Sequence, residues 1–223
     1  IVCKTVIGKG SPNRAGTAKA HGEALGPDEV KLTREALGWA SEPFVIPEDA
    51  YTLWDARPRG ESAEEAWRGR FDAYQKAYPA LAAEFTRRMR GDLPEDFAKR
   101  AFDAALAIHA KGETVASRKA SQQALELFTL ALPELLGGSA DLTGSNLTNT
   151  SSTAPMRMQA DGTLLLADGK GGRHINYGVR EFGMAAIMNG IALHGGLMPY
   201  GGTFLTFSDY SRNALRMAAL MKR

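Results

Sequence analysis

Hydrophobic and polar positions follow two regimes along the chain. Ile1-Val2-Cys3-Lys4-Thr5-Val6-Ile7 is a β-branched apolar run, the pattern of a core strand that needs neighbours. From Gly8 to Gly26 the residues turn to Gly, Ser, Pro, Asn and Thr, which is loop chemistry. Asp28 then precedes a short predicted helix, Glu29 to Leu37, with an acidic first turn, and Pro43 and Pro47 end that section. A long helical period follows from Glu61 to Arg90, with Ala66, Phe71, Tyr74, Ala77, Tyr78, Leu81 and Phe85 as its apolar stripe. Gly91-Asp92-Leu93-Pro94 breaks it, and a further helix over Asp96 to Ala110 leads to Lys111-Gly112.

Beyond Gly112 short strands alternate with amphipathic helices. Ser117 to Leu132 is predicted helical with Ala124, Leu125, Phe128 and Leu132 turned inward, and Leu135 to Asp141 is a strand running into a loop. Asn146 to Pro155 is Ser/Thr/Asn-rich and predicted mobile, while Leu164-Leu165-Leu166, between Asp161-Gly162 and Asp168-Gly169, fits a strand or hairpin arm. His174 to Tyr177 reads as a strand end, Glu181 to His194 as a helix apolar almost all round and therefore buried, and Gly196 to Phe204 as a strand with a loop. Ser208 to Arg223 is helical, with Leu215, Ala219 and Leu220 on one face. Strand and helix alternate, so the expected class is α/β, with parallel sheets flanked by helices in partial domains joined by a helical connector. An opening strand with no methionine before it and a final helix with no Gly or Pro stop predict a slice of a longer chain.

Composition narrows the classes. The 223 residues are 44% hydrophobic and 23% charged, an ordinary globular balance that excludes a disordered or collagen-like chain. Lys and Arg number 27 against 25 Asp and Glu, so a net charge of +2 supplies no general attraction for nucleic acid or an anionic membrane. Any bound anion must be held by a few local residues, and Arg87, Arg88 and Arg90 read as a solvated face. Cys3 is the single cysteine, which excludes an internal disulfide, and with four histidines it cannot make a Cys-rich zinc cluster. No apolar run reaches the roughly 18 residues of a membrane span and no signal peptide opens the chain, so a reducing, cytoplasmic setting is expected.

The densest candidate chemistry lies in Gly178-Val179-Arg180-Glu181-Phe182-Gly183-Met184-Ala185, which joins a strand end to an apolar helix. Two readings of Glu181 stand side by side. It is an acid complementing the helix macrodipole, or a carboxylate desolvated by Phe182 and Met184 that exchanges one hydrogen bond and one proton with a ring nitrogen.

That stretch, with Gly190 and His194-Gly195-Gly196, resembles the transketolase family. Other segments agree in order: Lys4 to Asn13, Gly16-Thr17 to His21-Gly22, Leu32-Thr33-Arg34-Glu35, Ser117-Arg118-Lys119-Ala120-Ser121, Gly137 to Leu142, Ser145-Asn146-Leu147-Thr148, and Thr203 to Tyr210. The resemblance covers essentially the whole chain. It implies residues 1–90 as the C-terminal part of a diphosphate-binding domain, 91–114 as a helical connector and 115–223 as the first part of a pyrimidine-binding domain. It also implies reversible transfer of a two-carbon ketol unit between sugar phosphates, through a thiamine diphosphate carbanion, in a homodimer with the active site between subunits.

Site residues carried over by the resemblance are these. Glu181 bonds the aminopyrimidine ring nitrogen, with Phe207 as the stacking ring and Phe204 and Tyr210 as walls; ordinary core is the alternative for all three rings. Ile7 packs on the thiazolium ring and Asp141 lies near it, although Asp141 alone reads equally as a turn or cap residue. His21 serves an oxyanion or a proton near the reacting carbonyl. Arg118 and Ser145 hold the substrate phosphate, although each in isolation reads as a surface group. His109, His174 and His194 receive no catalytic role. The Thr148–Gly172 segment is longer than in close relatives, and the Gly-Asp-Gly stretch that binds the metal (Mg2+ or Ca2+) is missing from this chain, which alone is expected to be inactive. A 1-deoxyxylulose-5-phosphate synthase-like enzyme and a catalytically silent binding module are the alternatives.

Overall fold

The computed structural model describes residues 1–165 and 172–223. The chain divides into two compact units, Ile1–Gly69 and Arg70–Arg223. In chain order the elements are α1 (Lys19–Gly22), α2 (Pro27–Ala36), α3 (Glu48–Trp54), α4 (Arg57–Ala77), α5 (Pro79–Arg90), α6 (Phe97–Lys111), α7 (Ser117–Ala131), β1 (Leu135–Ser139), α8 (Thr143–Asn146), β2 (Arg157–Met158), β3 (Leu164–Leu165), β4 (His174–Asn176), α9 (Glu181–His194), β5 (Met198–Gly202), a 3-10 helix (Leu205–Ser211) and α10 (Arg212–Met221).

The second unit carries the α/β architecture. Its parallel sheet has the order β4-β1-β5, with Gly138 opposite Ile175 and Gly201. The Gly137-Gly138 pair lets the flanking strands approach: a Cβ on Gly138 would lie 1.9 Å from the Ile175 carbonyl oxygen. One apolar cluster, Ala131, Leu132 and Leu135 with Phe97, Leu125, Phe128 and Tyr200, packs α6 and α7 beside the sheet. A second, Ala140, Tyr177 and Met184 with Ile175 and Met188, seats α9. Arg173 reinforces the join, donating to the carbonyls of Leu132, Leu135 and Thr129, the last at 2.8 Å, and so occupying acceptors left free at the end of α7.

Several expectations are corrected. Ile1 to Ile7 is an exposed, irregular segment, because among the described residues the first unit holds no strand to pair with it. The predicted Glu61–Arg90 helix is two helices. Pro79 has no N–H and takes the first position of α5, so the chain bends at Tyr78, and Phe71 meets Phe85 across the bend with ring centroids 5.6 Å apart. Arg87 and Arg88 are not a free solvated face, since Arg87 reaches Glu84 at 2.8 Å and Glu134 at 2.9 Å, and Arg88 reaches Glu84 at 2.7 Å. The Arg87 hydrogen bond holds Glu84 down to about 2.

Asn146 to Pro155 is tied down rather than loose. Thr150 bonds Thr129 at 3.1 Å and Thr153 at 2.7 Å, Ser151 donates to Glu126, and the Tyr200 hydroxyl donates to the Thr148 carbonyl at 3.1 Å. Helix α9 keeps its predicted bounds but is buried on one side, with Phe182, Ile187 and Leu193 about half exposed. In α10 the inward residue is Ala214, while Leu215 and Leu220 face out. Leu164 and Leu165 pair antiparallel with Arg157 and Met158; Leu166 to Gly169 lies outside the described residues.

Candidate functional site

The carboxyl ends of the three parallel strands set the site, as expected for an open α/β sheet. Ser139, fully buried at the end of β1, donates to the Gly202 carbonyl at 2.8 Å and accepts from the Leu142 N–H at 3.2 Å and Asn146 Nδ2 at 3.3 Å. One hydroxyl therefore joins β1, β5 and α8. Asp141 follows with φ +63°, a left-handed conformation that Asp adopts more readily than most side-chain-bearing residues, and its side chain is exposed.

After β4 the chain enters α9 at Glu181. The residue is 8% exposed, and among the described residues no hydrogen bond or ion pair engages its carboxylate. Arg180, the N-cap, turns its guanidinium to the Tyr177 carbonyl at 3.1 Å instead. Neither carboxylate oxygen is among the fully buried unpartnered atoms, so the group opens to the surface, where a donor arriving from outside the chain can reach it. The 3-10 helix packs against α9. Its three-residue repeat, begun at the preceding Phe204, sets Phe204, Phe207 and Tyr210 in a row of mutually tilted rings, adjacent centroids 6.0 Å apart, with Phe204 and Tyr210 open to solvent. The row offers ring faces and edges rather than a closed core.

A cleft of about 420 Å³ brings Arg118, Ser117 and Ser121 from α7 together with Asn146, Thr148, Thr203 and Phe204. Arg118 and Phe204 thus line one cleft, whereas Ser145, exposed on α8, does not, although Asn146 beside it does. Three lining atoms, Asn146 Oδ1, Thr148 Oγ1 and Thr203 Oγ1, are buried without a hydrogen-bond partner. Within the Ser-Asn-Leu-Thr run the family resemblance marks only the serine. The unmet polar atoms depend on the β1–β5 register and leave no local signature.

Ile7 and His21 belong to the first unit, where each is exposed. His21 sits in the one-turn helix α1, and Ile7 opens a Gly-rich turn closed by the Gly16 N–H to the Ile7 carbonyl at 2.9 Å. His174 is buried, its Nε2 lies 3.5 Å from the Thr143 hydroxyl, and burial pushes its imidazole below the ordinary range.

The model of the transketolase thiamine-diphosphate-binding domain matches residues 1–94, and that of the transketolase pyrimidine-binding domain matches residues 113–223. Transketolase 1 of Escherichia coli (strain K12) is 53% identical over 223 residues, covering 100% of this chain and 32% of that protein. The plasmid transketolase of Cupriavidus necator is 54% identical over 225 residues, with the same 100% and 32% coverage. Among solved structures, a transketolase from Pichia stipitis in complex with sedoheptulose-7-phosphate aligns with a TM-score of 0.79 at 38% identity, over 96% of this chain and 31% of that one. Transketolase from Leishmania mexicana aligns at 0.76 and 35%, over 96% and 30%. The chain thus spans about a third of the length of the curated relatives it matches.

Proposed function

Since the chain belongs to the transketolase family, we propose that within a transketolase-length protein it supplies part of a site for reversible two-carbon ketol transfer from a ketose phosphate to an aldose phosphate. Residues 1–90 are assigned to the end of the diphosphate-binding domain, 91–114 to a connector and 115–223 to the start of the pyrimidine-binding domain. The family models matching 1–94 and 113–223 support that division.

The donor set fits the pyrimidine half of thiamine diphosphate. Glu181, 8% exposed, carries a carboxylate that lacks a partner among the described residues, and the neighbouring helix presents three rings in a row. When bound, thiamine diphosphate supplies the nucleophilic carbon and the electron sink for the two-carbon unit. Glu181 would accept a hydrogen bond from a ring N–H, and Phe207 would offer its ring face to the pyrimidine, with Phe204 and Tyr210 as walls. Ile7 would offer an apolar contact to the thiazolium ring, and Asp141 is assigned to the thiazolium region. His21 donates to the oxygen that gains charge at the reacting carbonyl. Arg118 and Ser145 take the substrate phosphate, the guanidinium by a two-pronged contact.

The magnesium or calcium ion is assigned to ligands outside this chain, so the chain by itself turns over no substrate. A homodimer completes the site between subunits, a reading supported by the apolar face of α9 left open at Phe182, Ile187 and Leu193. The exposed free thiol of Cys3 suits a reducing cytoplasm.

The observation that carries this reading is the unpartnered Glu181 carboxylate at the start of α9. In the transketolase-length protein, Glu181→Ala is expected to slow ketol transfer by about 10²–10⁴-fold with the melting temperature preserved. Wild-type rates in that variant would remove the assignment.

A further inference from the structure

Glu29 is the one buried carboxylate of the first unit, 8% exposed. It stands in the first turn of α2 and accepts hydrogen bonds from the Ser11 hydroxyl, the Asn13 N–H at 2.8 Å and Asn13 Nδ2 at 2.8 Å. Ser11 is itself 3% exposed. All three donors lie in the turn that follows Ile7. The turn closes on itself through the Ser11 N–H to the Gly8 carbonyl at 3.0 Å, the Ala15 N–H to the Ser11 carbonyl at 3.0 Å and the Gly16 N–H to the Ile7 carbonyl at 2.9 Å.

The same turn sets the approach of α1. Gly8, at φ +66°, lies against Ala20, the residue before His21, so closely that a Cβ on Gly8 would stand 3.0 Å from the Ala20 Cβ. On the other side of His21, Arg14 of the turn pairs with Glu23 at 2.9 Å. Any displacement of the turn is therefore passed to Ile7 at one end and to both flanks of His21 at the other.

We propose that Glu29 is a positioning residue for ketol transfer, its carboxylate locking the 8–16 turn and thereby fixing where Ile7 and His21 stand. This rests on the roles given above to Ile7 and His21. The hydrogen-bond partners of the Glu29 carboxylate are Ser11 and Asn13, so its influence on the reaction passes through the turn. The three donors, the Ser11 hydroxyl first, also hold the Glu29 carboxyl below the usual carboxylate range. A glutamine preserves the geometry: its oxygen accepts from Ser11 and the Asn13 N–H, and a flipped Asn13 amide accepts from its NH₂.

The test uses the transketolase-length protein loaded with thiamine diphosphate. Glu29→Ala is expected to lower kcat by about 10- to 100-fold, the scale of misplacement by about 1 Å, with KM for the sugar phosphate little changed. Glu29→Gln is expected to recover most of that loss. In the double variant, Glu29→Ala is expected to add nothing to His21→Ala. Without substrate, protection of the Asn13 and Gly16 amides against hydrogen exchange is expected to fall about tenfold in Glu29→Ala and to hold in Glu29→Gln. Multiplying effects of Glu29→Ala and His21→Ala, or unchanged amide protection, would overturn the positioning role while leaving His21 in place. A fully active His21→Ala would instead remove His21 from the reaction and this proposal with it.

Discussion

Each unit has its own means of internal support, and the two means are opposite in kind. Unit 2 buries Leu132, Leu135, Leu136, Tyr177 and Met184 around a parallel sheet. Unit 1, among its described residues, buries Ser11 and Glu29, both polar, while its Ile1, Val2, Val6 and Ile7 stay exposed. Apolar burial is non-directional and depends on distant segments meeting, whereas a carboxylate bonded by a nearby turn is local and directional. The candidate residues inherit that difference. Glu181, Phe207 and Arg118 are placed by helices and strands packed over long sequence separations, and Ile7 and His21 by one polar turn.

Variants that strike each kind of support separate them. The largest stability effect is expected in unit 2 from Arg87→Ala, which strands the nearly buried Glu134 carboxylate. A loss of about 3 kcal/mol, read as a lowered denaturation midpoint, is the scale for a pair whose partner is removed. An unchanged midpoint would show that the apolar clusters alone carry the unit. Next in size, Arg118→Ala is expected to raise KM for phosphorylated acceptors by about 10- to 100-fold, the worth of a lost charged hydrogen bond, and to change KM for unphosphorylated ones far less. Equal changes on both would remove the phosphate role.

The smallest effect is the pH response of unit 1. Glu29 is held below its ordinary range, so its contribution is fully present above the unfolded carboxylate value and is lost as pH falls through the lower folded value. Protection factors at Asn13 and Gly16 are expected to decline on acidification across that window in the wild type and to stay level in Glu29→Gln. A pH-independent turn in the wild type would end the contrast between the units.

Much of unit 2 was legible because periodicity and punctuation agree there: Pro133 closes α7, Leu135 opens a strand that runs into a loop, and α9 runs from Glu181 to His194 as its pattern predicts. The failures have physical causes. Apolar composition marks Ile1 to Ile7 as strand-forming, but a strand exists only with a paired neighbour. The stripe through Phe71, Tyr74, Tyr78 and Phe85 survives the Pro79 bend because both helices turn it to the same contact, so period alone conceals the break. Helix α9 is apolar all round, yet one side is open, since hydrophobicity does not say which neighbour covers a face.

At the site, the resemblance pointed to Glu181 and the ring row. It did not point to Asn146 Oδ1, Thr148 Oγ1 and Thr203 Oγ1, whose unmet bonding arises from two strands brought side by side, or to Glu29, which looks in sequence like any acid in a helix first turn.

The proposed role of Glu181 and the rings beside it is to receive the pyrimidine of thiamine diphosphate. Its most direct test is a calorimetric titration of thiamine diphosphate, with magnesium present, into the wild-type transketolase-length protein and its Glu181→Ala variant. Saturable binding by the wild type, weakened about tenfold or more when the carboxylate is removed, is the predicted result, matching one lost charged hydrogen bond. A wild-type protein that leaves the cofactor unbound, or a variant that binds it equally well, would contradict the account.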